Sequence, residues 1–146
     1  MQEAADITEL ARKEPDRTRA VFAINAASHI LDVARERFYC RDYRGAFQES
    51  KNAIRMASSA LLFRDGYIAS TLDATLMHME ENYLNQLPIE EWQSLESMIT
   101  GVGPGLLNLI IRLTGKDKKT GRAEAGMALM VAERFLASTD ALMVLR

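Results

Sequence analysis

Five cations fall within eleven residues of this chain: Arg112, Lys116, Lys118, Lys119 and Arg122, offset only by Asp117. Guanidinium and ammonium groups at that density form charge-assisted hydrogen bonds with phosphate, so this segment is the candidate for nucleotide or nucleic-acid contact. The plainer reading is a solvated loop between helices. Gly115-Lys116 does not make it a Walker loop, because Ile110 stands where the first glycine must be. Gly101-Val-Gly-Pro-Gly105 is followed by Leu106 and Leu107 rather than by Lys-Ser or Lys-Thr, so it reads as a tight interhelical turn. His29 and His78 are the only imidazoles. Neither belongs to an HExxH pattern, and both are expected at the surface or in a groove with structural partners. No nucleophile–base set emerges.

Cys40 is the single cysteine, so neither an internal disulfide nor a cysteine-based zinc site is expected. No cofactor or metal is implied. A reducing, cytoplasmic setting fits that usage. The first residues lack the apolar run of a signal peptide, and LLNLIIRL is broken by Arg112 well short of a membrane span. Eighteen basic against twenty acidic residues give a net charge of −2, so any affinity for nucleic acid must come from a local patch.

The elements that must carry these residues read as helices. Proline occurs only at 15, 88 and 104, and apolar residues recur at three and four elsewhere. The fold class expected is all-α: an antiparallel bundle of five or six helices, one domain over residues 1–146. Ile7–Lys13 reads as a short helix ended before Pro15, or as a loose arm. A helix capped by Asp16 or Thr18 runs to about Arg41, with a wide apolar arc containing Phe22, Ile24, Ile30, Leu31, Val33, Ala34 and Phe38. So wide an arc needs several neighbours or a second subunit.

Asp42–Arg64 is a long central helix with a bulky stripe of Phe47, Ile54 and Leu61 beside a small row of Ala46, Ser50, Ala53, Ala57 and Ala60; Gly66 ends it. Phe22, Phe38, Phe47, Ile54 and Leu61 are thus the core or dimer packing candidates. Ser70 or Thr71 caps the next helix, whose inward stripe is Leu72, Leu76, Met79 and Tyr83. Pro88 opens another, with Trp92, Leu95, Met98 and Ile99 on its apolar face. A short apolar helix begins at Leu106. The last helix, about Ala123–Val144, turns Ala128, Val131, Ala132, Phe135, Thr139 and Leu142 inward. Met77, Met79, Met127 and Met130 read as core filling.

From Ile30 to Met143 the sequence resembles the HEPN family of small α-helical domains. The central helix carries FxxSxxAIxxASxALL followed by Asp65-Gly66, and IIRLTGKDKKTGRAEAGMALMVAERFL is similar to the family's final helix pair. Ribonuclease members of that family carry Arg, four to six residues, then His. Arg112 matches the arginine, but Asp117, Lys118 and Lys119 occupy the histidine positions. Ser59 stands where lysine is usual, and Leu72 where a histidine is often found.

The resemblance implies a homodimer of side-by-side helices burying about 1,200–2,000 Å² or more. It also implies, in many bacterial and archaeal cases, a minimal nucleotidyltransferase partner. The expectation is therefore a non-catalytic or weakly active nucleotide- or nucleic-acid-binding or regulatory protein, using Arg112, Lys116, Lys118, Lys119 and Arg122. One alternative is a toxin-like ribonuclease using Arg112 with His29 or His78. Another is a structural adaptor that binds a partner helix.

Overall fold

The structure is a computed structural model and describes residues 10–100 and 121–144, for 99 and 100 the backbone only. It is an all-α bundle with one minimal β-ribbon. In chain order the elements are β1 (Leu10–Arg12), α1 (Arg17–Tyr39), α2 (Tyr43–Asp65), β2 (Tyr67–Ala69), α3 (Leu72–Tyr83), α4 (Ile89–Thr100) and α5 (Arg122–Val144). The Gly101–Gly105 turn and the helix expected from Leu106 lie outside the described residues.

Local chemistry sets the helix ends. Asp16, Asp42 and Thr71 cap α1, α2 and α3, each side chain accepting the backbone N–H three residues on. At the far end of α2, Gly66 takes the left-handed conformation with φ 85° and donates its N–H to Leu62. The equivalent place after α1 is held by an arginine. Arg41 has φ 65°, its N–H bonds Phe38 O at 3.1 Å, and the Asp42 N–H bonds Arg37 O at 2.8 Å. Those two bonds make a Schellman motif with a non-glycine residue at its left-handed position.

α2 lies at the centre, packed most extensively on α1, then on α5, and more lightly on α3, α4 and β2. α1 and α2 run antiparallel, while α5 runs alongside α2 in the same direction: Arg122 meets Phe38 at one end and Arg64 meets Leu142 at the other. The small row Ala46, Ser50, Ala53, Ala57 and Ala60 is fully buried, as are Ile54 and Leu61, with Phe47 nearly so. Small residues at that spacing let neighbouring backbones approach, while the bulky stripe fills the core with about 1.5–3 kcal/mol per large side chain. Trp92 and Phe135 close the core from α4 and α5, their ring centroids 5.4 Å apart at 76°.

Several expectations change. Leu10–Arg12 is not helical; it pairs antiparallel with Tyr67–Ala69, Ala11 opposite Ile68, because β2 offers an open edge directly after Gly66. On α1 the face turned inward is Ala20, Ala23, Ala27, Leu31 and Ala34, so the small residues meet α2 and Phe22 is left 74% exposed. Phe22 is therefore no part of the core. Met98 on α4 is also exposed, as are Met77, Met127 and Met130; of the four methionines read as core filling, only Met79 is buried. No helix among the described residues is long and apolar enough to cross a membrane.

Candidate functional site

Polar chemistry concentrates in three places: a buried cluster where α2 ends, a buried ion cluster between α2 and α4, and an exposed cationic and aromatic corner at the other end of the bundle.

The first cluster begins with Arg64 and Asp65, which close α2. Arg64 donates to Leu142 O at 2.6 Å, satisfying a carbonyl in the last turn of α5, and to the Tyr83 hydroxyl at 2.7 Å. The Tyr83 hydroxyl donates to Asp65 Oδ2, and His78 Nε2 reaches the same oxygen at 3.2 Å. The Asn82 amide lies 3.4 Å from His78 Nδ1, so a neutral ring donating from Nε2 satisfies both neighbours. Tyr67 covers His78 with ring centroids 4.8 Å apart. His78 is thus buried, not at a surface or in a groove; its partner Asp65 comes from another helix. Burial alone would raise the Asp65 carboxyl, but bonds from His78 and Tyr83 and the charge of Arg64 outweigh it and hold it below the usual range. Burial and the adjacent Asp65 charge push Tyr83 up to about 12. Every strong donor and acceptor here is spent inside the cluster, which ties α2, α3, β2 and α5 together.

In the second cluster Glu96 receives Arg55 through two bonds, of 2.9 and 2.7 Å, and the Trp92 indole N–H at 2.9 Å. Lys51 is buried beside it, its Nζ 3.6 Å from Glu96 Oε1 and 5.5 Å from the Phe47 ring centre. Burial lowers the Lys51 ammonium below the ordinary lysine range, and the pull of Glu96 does not compensate, because Arg55 already holds that carboxylate and repels the ammonium. Glu96 itself is held low against its burial by Arg55 first and then Trp92. This too is an internal brace.

The exposed corner is different. Arg122, the first residue of α5, lies with its guanidinium 6.0 Å from the centre of the Phe38 ring. Phe38 is half-buried and meets Tyr39 and Tyr43 edge-on, at 6.4 and 5.5 Å. Tyr39 is 82% exposed. Arg41 and Arg44 are exposed at the same corner, without an ion pair among the described residues. Asp42 between them is occupied by Arg37 at 2.8 Å and by the Gly45 N–H at 3.0 Å.

Of the residues read from the sequence as phosphate-binding, Arg122 is in this corner, while Arg112, Lys116, Lys118 and Lys119 lie outside the described residues. Phe47, Ile54 and Leu61 are core; Phe38 is the hub of the corner; Phe22 is outside on α1 with Val21. His29 is exposed on α1. The signal that would have marked Tyr39, Arg41 and Arg44 was an arginine where a helix-ending glycine belongs. No group of three His, Cys, Asp or Glu among the described residues is arranged to hold a metal ion. Comparison with known protein-family models, with curated proteins and with solved structures gives no match.

Proposed function

We propose that this chain is a HEPN-like helical protein that binds a nucleotide or nucleic acid and acts by binding or regulation rather than by catalysis. It works as a homodimer in the cytoplasm, with a nucleotidyltransferase as the protein partner that the resemblance implies. The observation that carries the reading is the position of Arg122. The one described member of the Arg112–Arg122 cluster is exposed at an end of the bundle that also exposes Arg41 and Arg44. Phosphate is the ligand chemistry that such a surface serves. The lack of a histidine at positions 117–119, where the family's motif would place it after Arg112, supports the non-catalytic side. So does His78, whose ring nitrogens face Asp65 and Asn82 within a closed cluster.

Binding of ATP and of a short RNA by the protein, compared with the Lys116→Ala, Lys118→Ala, Lys119→Ala triple variant, tests the reading. Weakened binding in the variant is expected; unchanged binding removes the basic segment from the account. For the dimer, exposed Val21 and Phe22 give α1 an outward apolar face, and sedimentation of a monomer at high micromolar concentration would exclude it.

The ribonuclease alternative now turns on one histidine. His29 is the exposed imidazole, so RNA cleavage lost in both Arg112→Ala and His29→Ala would favour it. The same Val21–Phe22 face favours the adaptor reading if a partner helix co-purifies and no nucleotide affects it.

A further inference from the structure

We infer that the corner between α1 and α2 is a docking wall for single-stranded nucleic acid, with Tyr39 stacking on a base and Arg41 and Arg44 holding backbone phosphates. The inference rests on the nucleic-acid reading above and narrows it to single strands and to residues outside the Arg112–Arg122 segment.

Three arginines are exposed at this end of the bundle, and each departs from a local rule. Arg41 sits at φ 65°, where glycine or asparagine would close the Schellman turn without steric cost. Arg44 is in the first turn of α2, and Arg122 is the first residue of α5. Both helix starts carry the positive end of the helix dipole and favour carboxylates over cations. One such departure is ordinary; three at one end of a bundle concentrate cations there, although Arg41 complements the C-terminal dipole of α1 and Arg122 rests on Phe38. Local rules are broken in this way where function is served. Among the described residues, Glu36, Asp42 and Glu124 are acidic groups at this end, and Asp42 is already taken by Arg37 and by the α2 N-cap.

The aromatic component selects the class of ligand. Tyr39 closes α1 and is braced on one side by Phe38, yet is 82% exposed. A ring fixed on a rigid element with an open face is a stacking platform for an unpaired base, whereas a duplex hides its base faces. Arginines around such a ring follow the backbone of the strand.

The test uses the full chain, fluorescein-labelled twelve-nucleotide oligouridylate and oligothymidylate, and a duplex of equal length, at low salt. Anisotropy is expected to show single-strand binding that exceeds duplex binding, and the tighter of the two strands identifies the natural class. Tyr39→Ala is expected to weaken binding about fivefold or more. Arg44→Ala is expected to weaken it about threefold or more. Arg41→Gly separates function from folding: binding should fall about threefold while Tm rises by about 2–4 °C, because the left-handed residue is relieved.

Wild-type affinity in both Tyr39→Ala and Arg41→Gly, or a preference for duplex, overturns the inference. If the lysine triple variant loses binding while these corner variants keep it, the corner is wrong and the broader reading stands. If the unaltered protein binds no nucleic acid, both fail.

Discussion

His78 Nε2 stands 3.2 Å from Asp65 Oδ2 and so joins the middle of α3 to the last residue of α2. Asp65 is the common acceptor for His78, Tyr83 and Arg64, and through Arg64 it also fixes the end of α5. One carboxylate therefore holds three helices in register.

Removing that carboxylate leaves the partly buried Arg64 without its counter-charge. Asp65→Ala is expected to cost about 3–5 kcal/mol, read by urea denaturation. The pH dependence has two limbs. The Asp65 pKa is lowered on folding, so its stabilisation is fully present above the ordinary carboxylate range, near 3.8, and is lost as pH falls below it toward the folded value. The Tyr83 pKa is raised from 10.0 to about 12, so its contribution is present below pH 10 and is lost between about 10 and 12. Asp65→Asn should flatten the acid limb and Tyr83→Phe the alkaline limb.

Lys51 and Glu96 are expected to respond in opposite ways. Lys51 is 3% exposed and disfavoured as a cation, while Arg55 already holds Glu96 through two bonds. Lys51→Met should therefore be neutral or stabilising by roughly 1 kcal/mol. Glu96→Ala leaves both Lys51 and Arg55 without the carboxylate and the Trp92 N–H without its acceptor, and should cost about 3–5 kcal/mol. A Glu96→Ala protein as stable as wild type would contradict this account of the brace.

Gly66 is held by geometry. A Cβ there would stand 2.6 Å from Lys13 O, in a backbone conformation with φ 85°. Lys13 also donates its N–H to Gly66 O at 2.8 Å, so the chain entering α1 cannot simply move away. Gly66→Ala should cost at least about 2 kcal/mol and lower Tm by several degrees, the contrary of Arg41→Gly at the equivalent position of α1.

The contrast between Gly66 and Arg41 marks how much could be read from the chain. Asp16, Asp42, Thr71 and Gly66 carry their meaning locally, so the ends of α1, α2 and α3 follow from residue type and spacing. The buried stripe of α2 follows from period alone. The inward side of α1 did not: large residues at Phe22 and Phe38 suggested a core face, but the helix turns its alanines inward to bring its backbone close to α2. The burial of His78 is not legible locally, because its partner lies thirteen residues away on another helix. The ribbon of β1 and β2 is not legible in the sequence, because three-residue strands are too short to show alternation. Arg122 was legible as a cation within a charged segment. Its setting among Phe38, Tyr39 and the Arg41–Arg44 corner appears only when α1, α2 and α5 are assembled.

The central claim is that this protein binds nucleic acid through phosphate contacts, and its most direct test is the salt dependence of single-stranded RNA binding. Each phosphate neutralised contributes about 0.7 to the slope of log affinity against log salt. The account predicts measurable binding at low salt and a linear decline with a slope steeper than about −3. That slope should become shallower by about 0.7 for each of Arg44, Lys116, Lys118 and Lys119 replaced by alanine. Absence of binding at low salt, or a slope left unchanged by all four replacements, would contradict it.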